Sequence, residues 1–293
     1  MIYTIKDNSS VAKIDSVGAT LISFIGKSGE EVIWQRDENF WGGSAPILFP
    51  VVGKTKDGII TVDGVDYPMP KHGIVRKEEF EMIESSENQI TFKYTSSEKT
   101  LAMYPWEFEL FATFKIENGE LTNTLKVRNI DTEEMYFCIG AHPAFNVPRD
   151  ASETFEDWQI EFEVAEPLYS IRMCEDDFIH NFHEPIVESG NVLPLKRSLF
   201  NDDAVMFERL ESRSVKLVSS KTGKGVNFSF YGFPTLALWT REAPFKANFL
   251  CLEPWRGMAP RIGEGTDLKK KFDVQSVSPY ADFTVGYTIG IID

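Results

Sequence analysis

Apolar and polar residues alternate with a period of two along much of this chain. Phe108, Leu110, Ala112, Phe114 and Ile116 are apolar, with Glu109, Thr113 and Lys115 between them. Asn118-Gly119 follows, and then Leu121, Leu125 and Val127 alternate against Thr122, Thr124, Lys126 and Arg128. Successive side chains of a strand point to opposite faces, so this period marks half-buried strands. Asn-Gly supplies the positive-φ pair that a tight hairpin needs, and a hairpin is predicted over 108–128. The same alternation runs through 90–94, 215–217 and 226–230, the last two joined by a turn at 221–225. Asp57-Gly58 and Asp63-Gly64 bracket a short strand at 59–62. No segment keeps helical spacing for more than about three turns. One turn of helix is predicted near 99–104, before Pro105. Many short strands punctuated by turn residues predict an all-β fold, a large antiparallel β sandwich. Residues 148–198, polar and irregular, are expected to form long loops or an excursion. No repeat, low-complexity tract or linker divides the chain, so 1–293 reads as a single domain.

Composition narrows the partners. The formal net charge is −15, from 45 acids and 30 bases. Such a chain is repelled by phosphate backbones and anionic lipid surfaces, so neither nucleic acid nor membrane is an expected partner. Cys138, Cys174 and Cys251 are too few and too scattered for a disulfide framework or a zinc cluster. The N-terminus carries no secretory pattern and no apolar run is long enough to span a bilayer, so a cytoplasmic location is expected. A monomer or homodimer would be ordinary.

Four segments break the alternation and gather polar groups among Gly, Pro and aromatics. They are 43–54 (GSAPILFPVVGK), 69–76 (MPKHGIVR), 140–146 (GAHPAFN) and 250–257 (LCLEPWRG). His142 and Glu253 share a context: each follows an apolar run and directly precedes a proline. Proline holds the preceding residue extended, so each side chain is expected at a strand end on a stiff backbone. Either could equally serve a salt bridge or a buried hydrogen bond, but their joint occurrence among only four histidines favours chemistry.

These segments resemble the aldose 1-epimerase (galactose mutarotase) family, and within it a LacX-like bacterial branch. The resemblance rests on P-I-L-F-P-x-x-G, H-G-x-x-R, G-x-H-P-A-F and L-x-E-P-W-x-G, in that order from Pro46 to Gly257. It implies a galactose-mutarotase-like supersandwich, which agrees with the strand reading. It also implies interconversion of the α and β anomers of a hexose or hexose phosphate, with no cofactor and no metal. Position by position, Glu253 falls on the family's general base and His142 on its general acid. His72 falls on a ring-binding histidine. Asp203 resembles a substrate-binding aspartate, with Asp202 the competing assignment. Lys54 stands where the family usually has an arginine, which keeps the charge and loses the planar fork. Arg76 either supports substrate binding or forms a structural ion pair. Lys54 and Arg76 together leave an anionic sugar open.

Anomer exchange needs a proton removed from the anomeric hydroxyl and one delivered to the ring oxygen. Free Glu titrates near about 4.3 and His near about 6.5, so Glu253 is the natural base. Nearby acids are expected to raise the His142 pKa, and acid and base are expected on opposite sides of the sugar ring. Two other classes share these residues. One is non-catalytic carbohydrate binding or sensing, using aromatics such as Trp239 and Trp255. The other is glycoside cleavage by a carboxylate pair of Glu253 and Asp203. Trp255 either packs the core or floors the pocket. Trp34, Trp41 and Trp106 read as core or rim aromatics. His180 and His183, three apart, read as part of a solvated loop rather than a metal site.

Overall fold

A computed structural model describes residues 1–174, 178–241 and 246–293. Two sheets dominate it. The larger, among the described residues, runs Val192–Pro194, Trp158–Phe162, Ser214–Ser219, Gly225–Tyr231, Asp282–Ile292, Glu120–Asn129, Phe108–Glu117, Gln89–Thr95 and Glu81–Ser85. The other runs Glu184–Val187, Leu168–Arg172, Val205–Glu208, Thr235–Trp239, Phe249–Arg256, Ile139–Ala141 and Ile47–Leu48, with Ala144–Asn146 also paired to Phe249–Arg256. Each of these pairings is antiparallel, as the alternating pattern requires.

The predicted hairpin forms as Phe108–Glu117 and Glu120–Asn129, with Asn118 and Gly119 at φ 55° and 83°. The helical turn forms as Glu98–Leu101, capped by the Ser97 hydroxyl. The expectation for 148–198 needs correction. This stretch supplies Trp158–Phe162 and Val192–Pro194 to one sheet and Leu168–Arg172 and Glu184–Val187 to the other. Trp158, Ile160 and Phe162 do alternate, but acidic residues on either side mask the short period.

The sheets meet face to face through aromatic rings. Phe162 packs edge-on against Phe207 with centroids 5.4 Å apart, and Phe145 against Phe228 at 5.9 Å. This architecture is the galactose-mutarotase-like supersandwich. One apolar cluster runs from Ile5 to Ile289 between the sheets. Because strand side chains alternate, the second sheet has another face to furnish. Val205, Phe207, Leu236, Leu238, Leu250 and Leu252 point into the main core. Met206, Ala237, Trp239, Cys251, Glu253 and Trp255 therefore share the opposite face, where two smaller apolar clusters lie. The register sets Met206 beside Ala237 and Ala237 beside Glu253. Glu253 is thus a carboxyl in a row of apolar neighbours, with the smallest of them at its side.

Candidate active site

Glu253 lies inside the strand Phe249–Arg256, not at its end as the following proline suggests. The reason is a break in the neighbouring chain. Ile139 and Gly140 pair with Arg256 and Trp255, while Ala144–Asn146 pair with Cys251, Leu250 and Phe249. The break falls at His142-Pro143, opposite residues 252–254. The Leu252 N–H donates to the Pro143 carbonyl at 3.0 Å. Two residues on, the Pro254 nitrogen points to the same side, where the ladder is already interrupted, so its missing N–H costs no pairing. His142 does sit directly past a strand end, at Ala141. Gly140 lets the two segments close up: a Cβ there would lie 2.7 Å from Cδ1 of Trp255.

The break carries the imidazole onto the carboxyl. His142 Nε2 lies 3.2 Å from Glu253 Oε2, and both side chains are almost wholly buried. The ring is held by its walls. Trp41 stacks on it at 4.9 Å, Trp239 meets it edge-on at 5.7 Å and His72 edge-on at 5.8 Å. His142 Nδ1 has no hydrogen-bond partner among the described residues.

His72 arrives on the turn after Met69-Pro70-Lys71, with φ at 65°. Its amide donates to the Gly53 carbonyl at 2.8 Å, and its Nδ1 accepts from the Gly53 N–H at 3.2 Å. An accepting Nδ1 assigns the proton to Nε2. Gly73 pins this turn, with its backbone against that of Phe49.

His142, Glu253, His72, Asp203, Lys54 and Arg76 all line one cavity of about 320 Å³, together with Trp41, Lys71, Trp239, Arg241 and Trp255. Lys54, Lys71 and Arg241 are exposed, so the cavity opens to solvent along its cationic rim. A volume at the lower end of ligand sites, about 300 Å³, suits a ligand the size of one sugar ring. Asp203 is the aspartate of this cavity. Exposed Asp202 lines instead an adjoining groove of about 1000 Å³, which also holds Asp203, Met173, His180 and Phe182. The groove is larger, but it contains neither His142 nor Glu253.

Burial sets the charges. It pushes the Glu253 carboxyl well above its usual range, and Asp203 adds to the push. Burial drives His142 down to about 3, assisted by Lys71 and Arg76. His72 is driven well below its usual value by burial and then by His142. The expectation of a raised His142 is therefore corrected: loss of water outweighs the neighbouring acids, and the nearby cations act with it. His142 and Glu253 stand side by side, so no sugar ring fits between them as the opposite-sides expectation required. Arg76 as a structural ion pair is likewise overturned, because it has no carboxylate partner among the described residues.

Cys251 shares the face of Glu253, and the donor atoms of His142, Cys251 and Glu253 lie within 4.8 Å of one another. Burial holds the thiol and the carboxyl well above their usual pKa values, so both keep the protons a metal would have to displace. His183 pairs with Glu208 at 2.7 Å, and the His180 ring lies 4.7 Å from that of Phe182.

The sequence profile of the family Aldose 1-epimerase matches residues 1–266. Protein LacX, chromosomal, of Lactococcus lactis subsp. lactis is 35% identical, with all of both chains covered. The chain is a member of the aldose 1-epimerase family. Protein LacX, plasmid, also of Lactococcus lactis subsp. lactis, is 34% identical over the full length of both. Among solved structures, a galactose mutarotase-like protein from Lactobacillus casei ATCC 334 superposes with a TM-score of 0.94 at 30% identity, all of both chains covered. A galactose mutarotase related enzyme from Lactobacillus acidophilus gives 0.93 at 30% identity, covering 100% of this chain and 98% of that one.

For this epimerase-family chain, sequence reasoning missed Trp41 as a wall of the site. Trp41 lies between Gly42-Gly43 and the Asp37 turn, and no local signal separates a wall from a rim. Lys71 and Arg241 also line the cavity. Trp255 does both things considered for it: it packs in an apolar cluster and lines the cavity. The two aspartates can be separated in solution. Asp203→Asn should raise the sugar KM about tenfold, the scale of one charged hydrogen bond, while Asp202→Asn should change it less than about twofold. Steady-state kinetics on both variants checks this, and equal effects would refute it.

Proposed function

We propose that this chain is a hexose mutarotase, an isomerase in which Glu253 and His142 open and reclose the hemiacetal, and that residues 1–293 act as one unit. The observation that carries this reading is the 3.2 Å contact of imidazole and carboxyl in a cavity of monosaccharide size. The hydroxyl oxygen and the ring oxygen of a hemiacetal are bonded to the same carbon. An acid and a base that serve both must therefore be neighbours. Glycosidase carboxylates, by contrast, stand apart across the scissile bond, at about 5 Å or more.

The proton count closes. With Glu253 ionised and His142 protonated, the carboxylate takes the anomeric proton and the imidazolium protonates the ring oxygen as the C1–O5 bond breaks. The pair is then carboxylic acid and neutral imidazole, and the sugar is an open aldehyde. Rotation about C1–C2 presents the other carbonyl face to the C5 hydroxyl. Closure runs the transfers backward and yields the other anomer. The two protonation states of the pair differ only in where one proton lies. Burial favours the neutral arrangement, which is the one matched to the aldehyde. The Trp41 face against His142 favours the imidazolium, which lessens the imbalance. His72, neutral, offers its Nε2–H to a ring hydroxyl. Asp203, Lys54 and Arg76 complete the substrate contacts.

The reading makes a pH prediction. Because His142 is held near about 3, kcat/KM should show no inflection near the ordinary histidine value of about 6.5. The rate should fall only when the pair gains a second proton in strong acid or loses its shared one in base. A single-proton inflection near 6.5 assignable to His142 would contradict this.

Polarimetry of a freshly dissolved single anomer tests the function. Acceleration proportional to protein supports it. Saturable sugar binding without acceleration would replace it with the carbohydrate-binding reading.

A further inference from the structure

We propose that Trp41 is the positioning residue for His142: its indole face, seated against Gly43, takes the place of the hydrogen bond that usually aims an acid-base imidazole. The proposal rests on the mutarotase reading and concerns what holds its acid in line. A histidine in such chemistry is commonly oriented by a third group bonded to its far ring nitrogen. His142 lacks one. Its Nε2 faces Glu253 at 3.2 Å, and no other residue among those described bonds to its Nδ1. The ring is held by other rings instead. Trp41 lies over it with centroids 4.9 Å apart and planes only 27° from parallel. Trp239 and His72 meet it at steep angles, 76° and 82°. Of these three rings, Trp41 is the one whose face sets the imidazole plane, and an indole face is also what attracts a cation.

The indole can lie there because residue 43 is glycine. A Cβ on Gly43 would fall 2.4 Å from Cζ2 of Trp41 and 2.6 Å from its Cε2, so any larger residue must displace the ring. The main chain on both sides is tied. The Trp41 carbonyl accepts the Trp34 Nε1–H, and the Trp41 N–H donates to the Asp37 carbonyl, each at 2.8 Å. Ser44 is buried, and its hydroxyl donates to the Leu21 carbonyl at 2.9 Å. The half-buried indole is therefore what yields. Gly43 is not at positive φ, so alanine suits its backbone and disturbs only the ring stacked beyond it. Trp239 and Phe249, each 5.5 Å from the indole, complete its seat. The stack acts on the reaction more than on binding. His142 has to hold a proton before it can give one to the ring oxygen, and away from water an indole face favours that charged form. Losing the face should lower kcat and leave KM nearly unchanged, the mark of an interaction made on the way to the transition state.

The test is anomer exchange by NMR with the full chain, comparing wild type with Trp41→Phe, Trp41→Leu, Gly43→Ala and the double variant Trp41→Phe with Gly43→Ala. Trp41→Phe keeps a weaker face and should lower kcat about threefold; Trp41→Leu keeps only bulk and should lower it about tenfold, with KM within about twofold in both. Gly43→Ala should match Trp41→Leu although Trp41 is still present. In the Trp41→Phe background Gly43→Ala should change kcat less than about twofold, because the atoms nearest residue 43 belong to the outer ring of the indole, which phenyl lacks. Should Gly43→Ala fail to fold, the two Trp41 variants decide: a lower kcat for Leu than for Phe at unchanged KM supports the proposal, and equal values overturn it. Wild-type kcat in Trp41→Leu overturns it. So does a raised KM at unchanged kcat, which would make Trp41 a wall for the sugar alone. Both of these results leave the mutarotase reading standing. No acceleration by the wild-type protein overturns that reading and the proposal with it.

Discussion

Glu253→Gln should lose at least about 10³-fold in anomer exchange and gain thermal stability at neutral pH. The first effect follows from removing the carboxylate proposed to take the anomeric proton, since positioned acid-base groups contribute about 10²–10⁴. Glutamine keeps shape and hydrogen bonding, so sugar affinity should change little. The second follows from linkage. The folded protein holds the Glu253 pKa well above its unfolded value. The stability this carboxyl allows is fully present below the unfolded pKa, about 4.3, and is lost as pH rises toward the folded one. Glutamine has no such loss. The Tm of Glu253→Gln should therefore match wild type near pH 4 and exceed it near pH 8, by on the order of 1–2 kcal/mol or roughly 2–3 °C. Circular dichroism melts across pH, beside polarimetry, check both halves. Wild-type exchange rates in the variant would remove Glu253 from the mechanism. A lowered Tm at pH 8 would contradict its buried, protonated state.

Gly73→Ala should cost more than about 3 kcal/mol, a fall in Tm of roughly 5 °C. Gly73 has φ at 79°, and a Cβ there would lie 1.9 Å from the Phe49 carbonyl oxygen and 2.3 Å from its carbon. That oxygen accepts the Ile74 N–H at 2.8 Å, so the two segments cannot part without breaking a bond. The surviving protein should also show a raised KM, because the same turn presents His72. Gly64→Ala is the comparison. Its φ is 82°, but nothing lies within 4 Å of an added Cβ, so it should cost only the left-handed conformation, about 1 kcal/mol. Equal destabilisation by the two would mean that the clash is relieved in some other way.

Much of the fold was legible because strand periodicity is local. The 108–128 hairpin, the strand at 59–62 and the helical turn before Pro105 each announce themselves within a dozen residues. The strands in 148–198 were not legible, because their apolar faces are short and surrounded by acids. In the site, His142, Glu253, His72 and Asp203 stood out through proline, glycine and family motifs. What the sequence could not carry was depth. Loss of water reverses the expected shift of His142, and only the packing of Trp41, Trp239 and Phe249 around the pair reveals it. Nor does spacing say that residues 142 and 253 touch, since a ladder break pairs them across more than a hundred residues.

The most direct measurement is a crystal structure of Glu253→Gln with a bound hexose or hexose phosphate. The anomeric oxygen should lie within about 3.2 Å of the residue 253 amide and the ring oxygen within the same reach of His142 Nε2. A sugar seated only in the adjoining groove beside Phe178 and Phe182, with C1 out of reach of both side chains, would contradict the account.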